Sequence, residues 1–228
     1  MTTTLHPLDR PVWHSLTSRQ AHLALGDARA LRFVPEVNLF GAAADDAPEN
    51  LAALGALLPA AGTLGLVEAR EVALPIGVVV RSRAIINQMV LAELHAQGDP
   101  VEFVALTDAD APEMLALATL TAPGPFFTQT NRLGDFIGVK RDGRLVAMAG
   151  ERMKPLGFTE VSAVCTHPDH RGHGYARALM QVVIERILAR GDAAFLHVYP
   201  SNAGAIGLYE ALGFRLRHAM TYTVLERG

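Results

Sequence analysis

The sequence predicts an α/β protein in which strands and helices alternate, and three observations carry that prediction. Short apolar runs recur along the chain, several of them alternating with polar residues and bounded by turn formers, which is a strand signal. One longer stretch instead places Ala176, Leu179, Met180, Val183, Ile184, Ile187 and Leu188 at the spacing of a single helix face. The chain has 228 residues, of which 50% are hydrophobic and 19% charged, a balance that lets a chain of this length bury a sizeable core.

Taken in order, residues 31–34 and 64–67 read as short strands, and residues 50–58 as a helix with Leu51, Leu54, Leu57 and Leu58 on one face. Trp13 and His14 lie in a Pro-Val-Trp-His segment suited to packing against the rest of the chain. The apolar run 85–94 fits either a helix or a strand. Gly98-Asp99-Pro100 is turn-like and divides the chain into residues 1–98, an accessory α/β unit, and residues 99–228.

The second part has a clearer rhythm. Residues 101–106 alternate as a strand, and Asp108, Asp110 and Pro112 open a helix that runs to about Thr119. Pro123-Gly124-Pro125 breaks the chain. Residues 136–140 and 144–148 flank Arg141-Asp142-Gly143, a hairpin signature. A strand over 159–166 ends at Pro168, and the long helix that follows stops at Gly191. A buried-looking strand over 195–199, a short helix over 203–212 and a last strand over 218–225 complete the pattern.

The segment Arg171-Gly172-His173-Gly174-Tyr175-Ala176-Arg177 sits where the strand ending near Thr166 gives way to the long helix. Backbone N–H groups in a glycine turn at a helix N-terminus form an anion cradle, and the helix dipole adds partial positive charge. Glycine lets the backbone take positive φ and lets a bulky phosphate come close. Arg171 adds a cation, so the turn suits a pyrophosphate. A dinucleotide fingerprint would need a third glycine where Ala176 and Arg177 stand, and Asp192 precedes a strand instead of ending one. No Gly-Lys-Ser or Gly-Lys-Thr is present, which argues against a triphosphate loop.

Further along, Asn202, Ala205, Tyr209, Gly213 and Phe214 follow the pattern Asn-x-x-Ala-x-x-x-Tyr-x-x-x-Gly-Phe, while Arg171, Gly174 and Ala176 fit Arg-x-x-Gly-x-Ala. Together the two segments resemble the coenzyme and later motifs of the GCN5-related N-acetyltransferase (GNAT) superfamily. The resemblance covers roughly Val101 to Leu225, and the two-part build is similar to the glycine N-acyltransferase-like branch. It implies a mixed, mostly antiparallel sheet whose two central strands splay apart, with residues 1–98 as a degenerate or accessory unit. It also implies acetyl-CoA as cosubstrate, no metal, and a primary amine of a small-molecule or amino-acid-like acceptor.

The resemblance assigns roles residue by residue. The main chain of Val164, Cys165 and Thr166 would hold the pantetheine arm and face the acetyl oxygen, and the N–H groups from Arg171 to Arg177 would hold the pyrophosphate. Asn202 would bind the coenzyme; it also fits a helix N-cap. Tyr209 would lie beside the sulfur, and a phenol that titrates near ~10 stays protonated at neutral pH and can protonate a departing thiolate. For the base, Glu160 lies an even number of residues before Val164 and so shares its face by strand alternation. A solvated strand-end glutamate fits Glu160 equally well. His197 could relay a proton through water, or be an ordinary hydrogen-bonded core histidine. His167, His170 and His173 have a tempting spacing, but Pro168 and two glycines interrupt any helix there, so a metal site is not expected. Cys165 is expected to be a buried, inert thiol.

The net charge of −3 gives no drive toward nucleic acid or an anionic membrane. No apolar run reaches membrane-span length, and the start Met-Thr-Thr-Thr-Leu has no signal-peptide pattern. With a single cysteine no internal disulfide forms, and a cytoplasmic location is expected. Oligomeric state stays open, a homodimer included. Two other functions stay open at this stage: a non-catalytic coenzyme- or partner-binding module on the same fold, and, more weakly, a nucleotide-binding oxidoreductase.

Overall fold

The computed structural model describes residues 6–95, 98 and 100–228. The N-terminal run Met1 to Leu5 and Asp99 of the expected junction lie outside the described residues. The chain opens with α1 (Pro11–Leu16), β1 (Ala24–Asp27), β2 (Ala30–Phe33), β3 (Gly41–Ala43), α2 (Pro48–Ala56), β4 (Leu64–Glu68) and β5 (Val78–Leu91). It continues through β6 (Val104–Leu106), α3 (Ala111–Thr121), β7 (Phe136–Arg141), β8 (Arg144–Glu151), β9 (Phe158–Thr166), α4 (Tyr175–Ala189), β10 (Ala193–Val198), α5 (Ala203–Leu212) and β11 (Phe214–Arg227). The apolar run of ambiguous type over 85–94 is therefore strand as far as Leu91.

Strands β1, β2 and β3 form a small sheet, and the other eight form one sheet in the order β4-β11-β5-β10-β9-β8-β7-β6. Every neighbouring pair of the large sheet is antiparallel except β9 and β10, which run parallel. The sequence expectation of a mixed, mostly antiparallel sheet holds. β9 and β10 pair only over Ala193↔Phe158, Ala194↔Thr159 and Phe195↔Glu160, and beyond Glu160 they part. That splay is the geometric origin of the site.

The first 98 residues are not confined to a sheet of their own. β5 lies between β10 and β11, pairing with β11 from Phe214↔Leu91 to Arg227↔Val78 and with β10 over Phe195↔Val90 to Val198↔Asn87. The junction expected near residue 98 therefore runs through one sheet, because a long N-terminal strand finds both of its partners at the far end of the chain.

Local sequence explains most elements. In the β7–β8 turn, Asp142 (φ 49°) and Gly143 (φ 73°) both take positive φ, as the hairpin signature requires. The α4 face is sealed: Leu179, Met180, Ile184 and Ile187 have no exposure, and burying each such side chain is worth about 1.5–3 kcal/mol. α4 and α5 cover one face of β5, β9, β10 and β11, packing on Val161, Ala194, Leu196 and Phe214. α3 covers the other face of the β6–β9 end with Met114, Leu117 and Ala118. On the face of β5, β10 and β11 opposite α4, the N-terminal segment packs Leu8, Val12, Leu16, Phe33 and Phe40 against Ile86, Phe195 and Met220. Among the described residues, no helix is long and apolar enough to cross a membrane.

Candidate active site

β9 carries an irregularity that sets the site. Ala163 has φ 53°, unusual for a residue with a Cβ, and the β8–β9 register shifts between Met148 and Gly150. This is a bulge, in which an extra residue on one strand inverts the alternation beyond it. Val161 and Val164 accordingly face the α4 side, while Ala163 and Cys165 pack with α3. Glu160 and Val164 therefore do not share a face, contrary to the expectation from simple alternation. An alanine gives no sequence signal for a bulge.

A cavity of about 640 Å³ follows the opening between β9 and β10. Val164, Cys165 and Thr166 line one side and His197, Val198 and Tyr199 the other. At one end stands the glycine turn, with every residue from Arg171 to Arg177 on the wall, and Asn202, Ala205 and Tyr209 close by on α5. All the residues expected to hold coenzyme thus border one space.

The turn has the build of an anion cradle. Gly172 (φ 82°) and Gly174 (φ 75°) adopt left-handed backbone, and a Cβ added to either would meet nothing within 4 Å. Gly174 is the N-cap of α4, and no side chain caps the helix there. The first N–H groups of a helix have no carbonyl within it to bond, so those of α4 point out at the cavity mouth. His173 Nδ1 lies 3.1 Å from the carbonyl oxygens of both His170 and Arg171. Carbonyls only accept, so Nδ1 carries the proton. The Tyr175 side chain is turned inward, accepting from Arg141 Nε at 3.3 Å and stacking on His173, which leaves only its main chain for a ligand. His167 Nδ1 accepts from the Asp169 N–H at 3.2 Å.

Asn202 caps α5, its Oδ1 accepting from the Ala205 N–H at 3.1 Å, and its side-chain amide stays at the cavity wall. Tyr209 lines the same wall, and burial pushes its phenol above the usual tyrosine range. It therefore keeps its proton at neutral pH. The Cys165 thiol is buried and burial raises it to about 11, so it is protonated and a weak nucleophile.

Glu160, the expected base, stands differently. It has 0% exposure and is absent from the cavity wall. Arg152 donates to it through Nε (2.9 Å) and Nη2 (2.5 Å), the Met153 N–H adds 3.3 Å, and His197 Nδ1 lies at 2.8 Å. Burial alone would raise this carboxyl, but the adjacent Arg152 charge and hydrogen bonds outweigh it and hold the group at about 2. A carboxylate so satisfied is a counter-charge and a poor proton acceptor.

His197 is also fully engaged. Gln88 Nε2 donates to the Leu8 carbonyl (2.9 Å), while Gln88 Oε1 accepts from Arg217 Nη1 (2.8 Å). Those two partners fix the amide orientation, so Gln88 Nε2, 3.1 Å from His197 Nε2, donates to it. His197 thus has a partner at each ring nitrogen, Gln88 at Nε2 and Glu160 at Nδ1, and is a core histidine held at both. Gln88, Phe40 and Tyr222 carried no sequence signal for this site, because each reaches it from a distant part of the chain, and Arg152 and Tyr199, though near it in sequence, lie outside any motif.

The family described as FR47-like protein matches residues 136–224. A solved structure of a GNAT-family protein from Novosphingobium aromaticivorans DSM 12444 is 47% identical over 98% of this chain and 100% of that one, with a TM-score of 0.91. The Escherichia coli K12 [ribosomal protein bS18]-alanine N-acetyltransferase is 44% identical over 75 residues, 32% of this chain and 50% of that protein. The mycothiol acetyltransferase of Thermomonospora curvata is 37% identical over 76 residues, 33% of this chain and 26% of that protein. The chain thus spans half or less of the length of these two curated relatives. With a splayed β9–β10 pair, a glycine cradle before α4 and a full-length relative of nearly the same shape, the chain belongs to the GNAT family of acetyltransferases.

Proposed function

We propose that the protein transfers the acetyl group of acetyl-CoA to a primary amine on a small-molecule or amino-acid-like acceptor, by direct attack in a ternary complex. The observation that carries this reading is the single cavity that joins the α4 cradle, the β9–β10 opening and Tyr209. Diphosphate on the α4 N–H groups places the pantetheine along Val164, Cys165 and Thr166, with the thioester near Tyr209. The acceptor nitrogen attacks the carbonyl carbon, a C–N bond forms, the nitrogen releases its extra proton to water, the C–S bond breaks, and the electron pair leaves on sulfur. Tyr209 gives its proton to that thiolate and is restored from solvent. Glu160 and His197 act as positioning residues below the opening. Among the described residues no carboxylate lines the cavity, so the acceptor enters as the neutral amine after losing its proton to water. The curated relatives bear different acceptors in their names, and the matched stretches support acetyl transfer without fixing the acceptor. The first 98 residues supply Phe40, Val67 and Ile86 to the acceptor side. A single cysteine agrees with a cytoplasmic setting.

Thiol release from acetyl-CoA in the presence of a panel of primary amines tests this. Tyr209→Phe should lower kcat about 10²–10⁴-fold, roughly 3–5 kcal/mol of barrier, with little change in coenzyme affinity. Absence of amine-dependent thiol release across the panel would overturn the transfer reading. Full kcat in the Phe variant would remove Tyr209 from the proton step.

A further inference from the structure

Arg152 sits at the end of β8, yet its side chain is only 13% exposed and lines the cavity. One edge of its guanidinium, Nε with Nη2, is filled by the two oxygens of Glu160. The other edge is not. Among the described residues Nη1 has no hydrogen-bond partner, and it faces the 121–125 loop, 3.9 Å from where a Cβ on Gly124 would stand. The guanidinium is stacked on Phe40 at 5.3 Å, and Tyr199 and Tyr222 are close enough to feel its charge. It is held rigid by the Glu160–His197–Gln88 chain.

An arginine has five N–H donors arranged as two forks, each matching a pair of oxygens. Glu160 uses one fork, and the end-on fork of Nη1 and Nη2 stays open on a side chain that lines the cavity. The charged residues on the cavity wall are Arg152, Arg171 and Arg177, all cationic. Arg171 precedes α4 and Arg177 lies in its first turn, whereas Arg152 stands among Phe40, Ile86 and Tyr222 on the acceptor side. A cavity of this sign disfavours polycationic acceptors and favours one bearing an anion. A dianion would meet the Glu160 charge just behind the guanidinium, so a monoanion fits better.

We propose that Arg152 is a specificity-determining residue whose open fork binds a free carboxylate on the acceptor, making the substrate class amino acids with an unblocked carboxyl group. This inference rests on the acetyl-transfer reading above. The acceptor would thus be held at its carboxylate by Arg152, with aromatic walls about its side chain and its amine left free to attack.

The test measures product binding, which needs no turnover. N-acetylglycine, N-acetylleucine and N-acetylphenylalanine, each beside its carboxamide, are titrated into the coenzyme A-loaded protein by calorimetry. At least one acid should bind roughly 10- to 100-fold more tightly than its amide, the span of one charged hydrogen-bonded contact. Arg152→Met alone would strand a buried Glu160 and could unfold the protein. The double variant Arg152→Met/Glu160→Gln removes both charges, and circular dichroism melting verifies its fold. In it the acid-to-amide ratio should fall to about one. Equal binding of acid and amide, or no binding of any pair, would overturn the inference, as would a preference that survives in the double variant. Failure of coenzyme A itself to bind would instead overturn the acetyl-transfer reading, and this inference with it.

Discussion

Glu160 concentrates more polar chemistry than any other buried side chain near the site, since both of its oxygens are engaged and it sees no solvent. Its carboxyl is depressed to about 2 when folded, against an ordinary value near 4.5. A group whose folded pKa is lowered adds stability that is complete above the unfolded value and disappears as pH falls through the folded one. Its contribution should therefore be intact above about pH 4.5 and fade as pH drops toward 2. Glu160→Gln should cost about 3–5 kcal/mol near neutrality, because Arg152 loses its counter-charge. The gap between wild type and variant should then narrow on acidification, as read from urea midpoints at pH 6, 4 and 3. A gap that stays constant over that range would deny Glu160 its charge. Sequence made the local part of this site legible: the glycine turn, Asn202 and Tyr209 sit in short motifs whose geometry is set by neighbours along the chain. Gln88 was invisible because its role exists only where strands distant in sequence meet, and Arg152 because no motif marks an arginine at the end of β8. The expectation that Glu160 and Val164 share a face failed at one residue, Ala163, whose positive φ no side chain announces.

Elements show the same division. α4 was legible almost to the residue, since its apolar spacing, the glycines before it and Gly191 after it are all local signals. β5 was half legible. Its exposed stretch Val79 to Arg83 lies beyond the core and is held by the ladder with β11, so neither burial nor alternation marks it. The two ends of α4 allow a controlled comparison. Gly174 and Gly191 have φ of 75° and 80°, and an added Cβ at either would meet nothing within 4 Å. Gly174→Ala and Gly191→Ala should each cost about 1–2 kcal/mol for placing a Cβ in left-handed backbone. Gly174 borders the cavity and Gly191 does not. Only Gly174→Ala should therefore weaken acetyl-CoA binding, by tenfold or more in calorimetry, while both melt alike. Equal coenzyme affinity in the two variants would place the diphosphate elsewhere.

At the scale of the whole molecule, the motif-bearing part is incomplete by itself. Residues 99–228 contain β10 and β11 but not β5, the strand between them. Expressed alone, that fragment should be unfolded or aggregated, and mixing it with residues 1–98 should restore a cooperative melt. A soluble, cooperatively melting fragment would show that β10 and β11 can close on each other. The chain order also bears on synthesis. β5 leaves the ribosome about a hundred residues before β10, an interval of roughly 5–20 s at ordinary elongation rates. For that time the nascent chain carries a long strand with both edges unpaired, and Val79, Val80 and Ile85 on it stay exposed even after folding. Arg81 and Arg83 interrupt this apolar sequence. In the finished protein they pair only at the surface, with Glu226 and Glu71, contacts worth little to stability. Their stronger effect falls earlier, as charges that discourage one waiting strand from joining its copy on a neighbouring ribosome.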